Sequence, residues 1–159
     1  YADFLRENVD LEALRAAADA HRESPVAHVL HVGPLAEHGE RLAWVVGLLA
    51  AAGIEGRAVP APADEAVERL DAMLAGAGPG VAVILCAADA RYGVLVPELA
   101  PRAKAKGARV VAVAGPAPDD AWARLGVDLS VHRGANVYRA LRKLLELGGV
   151  ELGAPEDER

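Results

Sequence analysis

The sequence predicts a doubly wound α/β domain: a five-stranded, all-parallel sheet with helices on both faces and one extra helix in front. Three observations predict it. Short β-branched runs alternate with segments of helical period, the rhythm of parallel βαβ units. Val81–Cys86 is apolar throughout, as a strand covered on both faces must be. Glycines and a Gly33-Pro34 pair punctuate the ends of the periodic segments, at Gly53, Gly107 and Gly126 among others.

The elements follow in order. Leu11–Glu23 reads as an amphipathic helix with Asp10 as its N-cap candidate, and it ends at Ser24-Pro25, because a residue before proline avoids helical ψ. Val26–Val32 is the first strand. A helix from about Glu40 to Ala52 carries Leu42, Val45, Val46 and Leu49 at helical spacing, with Gly53 as the residue that closes it. Gly56–Val59 is a short second strand ended by Pro60 and Pro62, and Val67, Leu70 and Leu74 form the stripe of the next helix before a Gly76–Gly80 loop. The third strand, Val81–Cys86, is central. The helix after it spans about Val94–Lys106, its start blurred by Pro97 and Pro101. Arg109–Ala114 is the fourth strand, Asp119–Leu125 a short helix and Val127–Val131 the fifth strand. The last helix is Ala135–Leu147. Residues 1–25 are thus a leading helix and linker, 26–150 the α/β domain and 151–159 a polar tail. Five parallel strands with right-handed crossovers give the flavodoxin-like (Rossmann-like) order 2-1-3-4-5.

Composition narrows the function. The chain has 159 residues, enough for one self-sufficient core. Lys plus Arg is 17 against 23 Asp plus Glu, net −6, and aromatics are 4%, so neither a basic nucleic-acid surface nor a base-stacking platform is expected. Lysine occurs only at Lys104, Lys106 and Lys143, so arginine is the default cation. The longest strongly apolar run, Ala43–Gly53, is far short of the roughly 20 residues that span a membrane. Cys86 is the single cysteine, which permits no internal disulfide and fits the cytosol. No signal peptide opens the chain, and Tyr1 in place of Met suggests a processed chain or a piece of a longer one.

In such sheets a ligand sits beyond the carboxyl ends of the strands, so four loops matter: Gly33–Gly39, Ala87–Gly93, Gly115–Asp119 and His132–Ala135. The first lacks the Gly-x-Gly-x-x-Gly of a dinucleotide site, no Gly-Lys-Ser/Thr of a P-loop occurs, and the hydroxyls of a flavodoxin phosphate loop are missing. Asp89 stands near one receiver-domain position, but Gly33-Pro34 and His132 fill the others. Among the five histidines, His28 and His31 are three apart on a strand and face opposite ways, His21 lies on the leading helix, and His38 and His132 lie in or near loops at the carboxyl edge. Ser24 and Ser130, the only serines, make no triad. Cys86 reads as a small buried hydrophobe. Tyr92 and Trp122 read as edge-covering or partner-facing aromatics, with ligand stacking as the alternative, and Asp89 with His132 is the one polar pair at adjacent strand ends.

Four phrases carry a resemblance: Gly-Pro-Leu-Ala-Glu-His at 33–38, Ala-Gly-Ile-Glu at 52–55, Leu-Cys-Ala-Ala-Asp-Ala-Arg-Tyr at 85–92 and Gly-Val-Asp at 126–128. With them, most of Val26–Leu147 resembles the C-terminal cobalamin-binding-type domain of the methylmalonyl-CoA mutase family, closest to the degenerate domain of the small subunit. In that family Asp-x-His-x-x-Gly follows the first strand, the His ligating cobalt from below and the Asp orienting it. The motif falls on Ala36-Glu37-His38-Gly39-Glu40-Arg41, so His38 takes the ligand position while Asp has become Ala36 and Gly has become Arg41. The Ser-x-Leu motif falls on Cys86-Ala87-Ala88, a Gly-Gly on Ala114-Gly115, and the last-loop Gly on Gly134.

The resemblance implies cofactor-contact positions at His38, Cys86, Gly115 and Gly134, with His38 as a cobalt ligand only where cobalamin binds. It implies a non-catalytic structural domain, 26–150, of a cytoplasmic mutase small subunit that binds no cofactor and pairs as a heterodimer with a large catalytic subunit. It also implies a barrel domain ahead of this one in the complete subunit, and no isomerase activity from this chain alone. The alternative is a working adenosylcobalamin carrier with His38 as lower axial ligand, and a third reading is an unrelated flavodoxin-like domain for another small ligand.

Overall fold

The structure is a computed structural model that describes residues 11–16, 25–78, 80–115, 120–131 and 137–147. Five strands form one sheet: β1 (Val26–Val32), β2 (Glu55–Ala61), β3 (Ala82–Cys86), β4 (Val110–Ala114) and β5 (Leu129–Val131). They lie in the order β2-β1-β3-β4-β5 and every pair is parallel, as the sequence predicts. The helices are α1 (Leu35–Ala51), α2 (Ala66–Ala77), α3 (Tyr92–Ala105), α4 (Asp120–Arg124) and α5 (Val137–Leu147). Residues 11–16 are helical, as expected of the leading helix. The rest of that helix, its Asp10 cap, Asp119 and the 151–159 tail lie outside the described residues.

Alternation along the strands builds two cores. Ala27, Val29, Ile84, Cys86, Ala112 and Ala114 face α1 and α5, where Val45, Leu49, Leu141 and Leu145 meet them together with Leu14 of the leading helix. Leu30, Val32, Val83, Leu85, Val111 and Val113 face the other way, onto Leu70 and Leu74 of α2 and Leu95, Val96 and Leu99 of α3. The central strands are therefore apolar on both faces.

Several boundaries differ from expectation. α1 begins at Leu35, five residues before the expected Glu40, because Pro34 is extended (φ −65°, ψ 140°) and starts the helix at once. The expected loop 33–39 is thus mostly helix, and His38 lies on α1 instead of in a loop. At the far end Gly53 closes α1 as expected, with φ +80° and its N–H on the Ala50 carbonyl. β2 runs on through Pro60 to Ala61; it is an edge strand, where every second N–H points away from the sheet and proline is tolerated. A 3-10 turn at Ala63–Glu65 precedes α2, and α2 consumes Gly76 and Ala77 of the expected loop. Another, Asp89–Arg91, leads straight into α3, which accommodates Pro97 and Pro101 because both lie on its exposed side and the residues four before them, Gly93 and Pro97, are exposed as well.

Candidate functional site

The strand order reverses between β1 and β3, so the crevice beyond their carboxyl ends is where this architecture places a ligand. Two segments frame it: the Gly33-Pro34 turn with the first two turns of α1, and the Ala87–Arg91 stretch leading into α3. The early start of α1 sets Glu37, His38 and Arg41 over this edge.

His38 is 2% exposed and turns inward onto β1. Its Nε2 lies 3.0 Å from Nδ1 of His31, itself 7% exposed, with ring centroids 5.2 Å apart and planes at 54°. The two rings share one hydrogen bond. The outer nitrogen of His38, Nδ1, is buried and has no partner at hydrogen-bonding geometry. Burial lowers the pKa of His31, and the neighbouring His38 lowers it further. Burial also lowers that of His38; Glu37 and the Pro34 carbonyl oppose this, while Arg91 and Arg41 add to it. Both rings are therefore neutral near pH 7.

Arg41 crosses the crevice. One guanidinium nitrogen donates to the Ala87 carbonyl at 2.6 Å and the other pairs with Asp89 at 2.8 Å, while the group sits 6.0 Å from the centre of the Tyr92 ring. Burial disfavours the charge on Arg41, but the bond to Asp89, the charge of Asp89 and the neighbouring Tyr92 together outweigh it and the pKa is raised. A second crossing runs in parallel. Arg91 donates from Nε and a terminal nitrogen to the two oxygens of Glu37, at 2.7 and 3.1 Å. That fork passes directly over Gly33, where a Cβ would come within 2.8 Å of Arg91 Nε, and Gly33 holds φ +98°.

Tyr92 fills the neighbouring space. It is 1% exposed, and its hydroxyl accepts from the Ala87 N–H at 2.9 Å and donates to the Ala114 carbonyl. Its ring meets Trp122 edge-on at 5.8 Å, and a Cβ on Gly115 would fall 2.8 Å from its Cε2. Burial pushes the phenol up to about 12 and the fully buried Cys86 thiol up to about 11.

The expected site residues are thus brought together in part. His38, Cys86 and Gly115 all lie at this edge, His38 and Cys86 packed into the α1 face and Gly115 under the Tyr92 ring. Gly134 and His132 lie outside the described residues. Asp89 pairs with Arg41. Tyr92 covers the edge from inside, as a buried plug. Sequence reading missed His31 as the partner of His38, and Arg41, Arg91 and Glu37 as cross-links; the only signal was Arg41 standing where the family motif has Gly. Among the described residues no group of three or more His, Cys, Asp or Glu side chains could hold a metal ion, and no helix is long and apolar enough to cross a membrane.

No protein-family model matches the chain. Among curated proteins it is similar to probable methylmalonyl-CoA mutase small subunits of Mycobacterium bovis and of two Mycobacterium tuberculosis strains. Each is 36% identical over 138 residues, which cover 84% of this chain. The chain spans 22% of the length of those relatives, so it corresponds to one segment of a much longer subunit. The resemblance read from the motifs therefore extends over most of the chain.

Proposed function

We propose that this chain is a non-catalytic assembly domain of a methylmalonyl-CoA mutase-like small subunit, that it holds no cobalamin, and that it supports a large catalytic partner. One observation carries the reading: the crevice at the switch point is filled by the domain's own side chains. Arg41 bonds across it to Ala87 and Asp89, and Tyr92 occupies the ends of β3 and β4.

Cobalamin does not fit these residues. His38, at the ligand position, spends its Nε2 on His31, and its Nδ1 has no carboxylate to orient it because position 36 is alanine. A metal-ligating histidine normally gives its other nitrogen to such a partner. The passage a nucleotide tail would need past Gly115 holds the Tyr92 ring. A folded domain with an intact double core and, among the described residues, a crevice crossed by its own side chains is suited to packing against other protein.

The test is to titrate the purified chain with hydroxocobalamin and record the visible spectrum. The expected result is no spectral shift at micromolar cofactor, in the chain itself and in His38→Ala alike. A shift that disappears in His38→Ala would instead establish a working carrier with His38 beneath cobalt. A pull-down from native extract checks the other half: a large mutase subunit is expected, and its absence from a complex containing the chain would overturn the assembly role.

A further inference from the structure

At the β1–β2 end of the sheet, beside the bridged crevice, there is a cavity of about 580 Å3. That volume is in the range of small-molecule sites. Pro34, Leu35, Pro60, Ala61 and Pro62 give it hydrocarbon walls, and only two side chains in its lining are polar, His31 and Arg91.

Two polar side chains and the start of a helix meet this lining. His31 is 7% exposed, and its Nδ1 edge is taken by His38. His31 lines the cavity, and Nε2 is the ring nitrogen that is not bonded to His38. Pro34 supplies no side-chain cap to the 17-residue α1, so the amides of Leu35 and Ala36 begin the helix without intrahelical acceptors. Arg91 already grips one carboxylate, that of Glu37, in a two-point fork at this rim. His31, Arg91 and Leu35, the first residue of α1, thus all line an otherwise apolar space. A carboxyl group serves either tautomer of His31: as the carboxylate it accepts from Nε2–H, and as the acid it donates to a bare Nε2. Because Glu37 balances Arg91, the rim has room for one negative charge in exchange, not for two.

We propose that this cavity is a binding site for a small apolar monocarboxylic acid. Its alkyl or aryl body lies against Pro34, Leu35, Pro60 and Pro62. Its carboxyl group bonds to His31 Nε2 and the first amides of α1, and displaces Glu37 from Arg91. The site shares the Gly33-Pro34 turn, His31 and Arg91 with the rim of the crevice, but it opens toward β2, and its test uses small acids and not cobalamin, so the two readings fail separately.

The experiment is an NMR titration of the full chain, labelled with 15N, with sodium hexanoate and sodium benzoate, and with hexanamide and benzamide as uncharged matches. Saturable shifts at the His31 ring and the Leu35 and Ala61 amides are expected, with Kd about 1 mM or tighter. The amides should bind about tenfold more weakly, the loss set by a charge-assisted hydrogen bond. Arg91→Gln should weaken the acids by a similar factor, and Glu37→Gln, which frees Arg91, should tighten them. Both side chains are at the surface, and amide dispersion verifies that each variant is folded. Equal binding of acids and amides would overturn the carboxylate assignment. Absence of saturable shifts up to about 10 mM, or acid binding indifferent to both variants, would overturn the site.

Discussion

Replacing Tyr92 by Phe removes one oxygen atom and no ring, which isolates what the phenol does. In the native domain that oxygen is the partner of the Ala87 N–H and bonds to the Ala114 carbonyl, and both residues are fully buried. In Tyr92→Phe the fully buried Ala87 amide loses that acceptor. Leaving one buried donor unsatisfied costs about 1–3 kcal/mol, and losing the bond to Ala114 adds about 1 kcal/mol, so a loss of about 2 kcal/mol or more is expected. In a domain of this length that lowers Tm by at least about 4 °C. Urea unfolding should show a lower midpoint with an unchanged slope, since the surface exposed on unfolding is the same. The phenol also predicts an alkaline limb. Its folded pKa, about 12, is above the ordinary value. The stability it contributes is therefore complete below about pH 10 and is lost as pH rises through the folded pKa. The spectral difference between the native chain and Tyr92→Phe should show phenolate only near pH 12. An unchanged urea midpoint, or a phenolate titrating near pH 10, would refute the latch.

Three further outcomes follow from the same edge. His31, His38 and His28 all have lowered pKa values, burial being the first cause in each, so stability should be level above about pH 6.5 and fall as pH drops below it; a His31→Gln/His38→Gln double variant should flatten most of that slope, and an unaltered slope would remove the pair from the account. Cys86, fully buried with its thiol pushed up to about 11, should resist a disulfide reagent at pH 8 in the folded chain and react at the rate of unfolding; rapid native labelling would contradict its packing. Gly115→Ala drives a Cβ into the Tyr92 ring and should cost about 1–3 kcal/mol in urea unfolding, much of it relieved when combined with Tyr92→Leu, whereas additive losses would show the two positions to be independent.

The sheet was legible because its signals are local. β1 falls on Val26–Val32 as expected, and the continuous apolar run of β3 places it at the centre. The helix starts were less legible. Gly39 and the Gly33-Pro34 pair suggested a loop, but a proline that is already extended ends one element and begins the next, and a glycine within a long helix costs only about 1 kcal/mol. The two prolines of α3 misled in the same way, since their cost depends on whether the freed carbonyls reach water. The site was legible only as positions. His38 could be aligned to a motif, yet its contact with His31 depends on how tightly α1 follows β1, and the Glu37–Arg91 fork joins residues 54 apart in sequence. Side-chain cross-links between loops leave no periodicity to read.

On the proposed reading, the departures from the family motif are one coupled change. Without a carboxylate at position 36, nothing holds the His38 ring in a ligating orientation, and the ring finds its hydrogen bond on His31 instead. Without a glycine at position 41, a long guanidinium side chain spans the crevice and ties α1 to the Ala87–Asp89 turn. With the crevice tied, Tyr92 can occupy the strand ends and satisfy the backbone groups there. Each of these contacts now stabilises the fold, so reverting any one of them loses stability before it gains a site. Ala36→Asp alone would leave Arg41 in place, and Arg41→Gly alone would leave Tyr92 bonded to Ala87 and His38 bonded to His31. Residues in direct contact are not additive, so cofactor affinity should return only when positions 36, 41 and 92 change together. A single reversion that restored hydroxocobalamin binding would show that the crevice is held shut by one contact, not by the set.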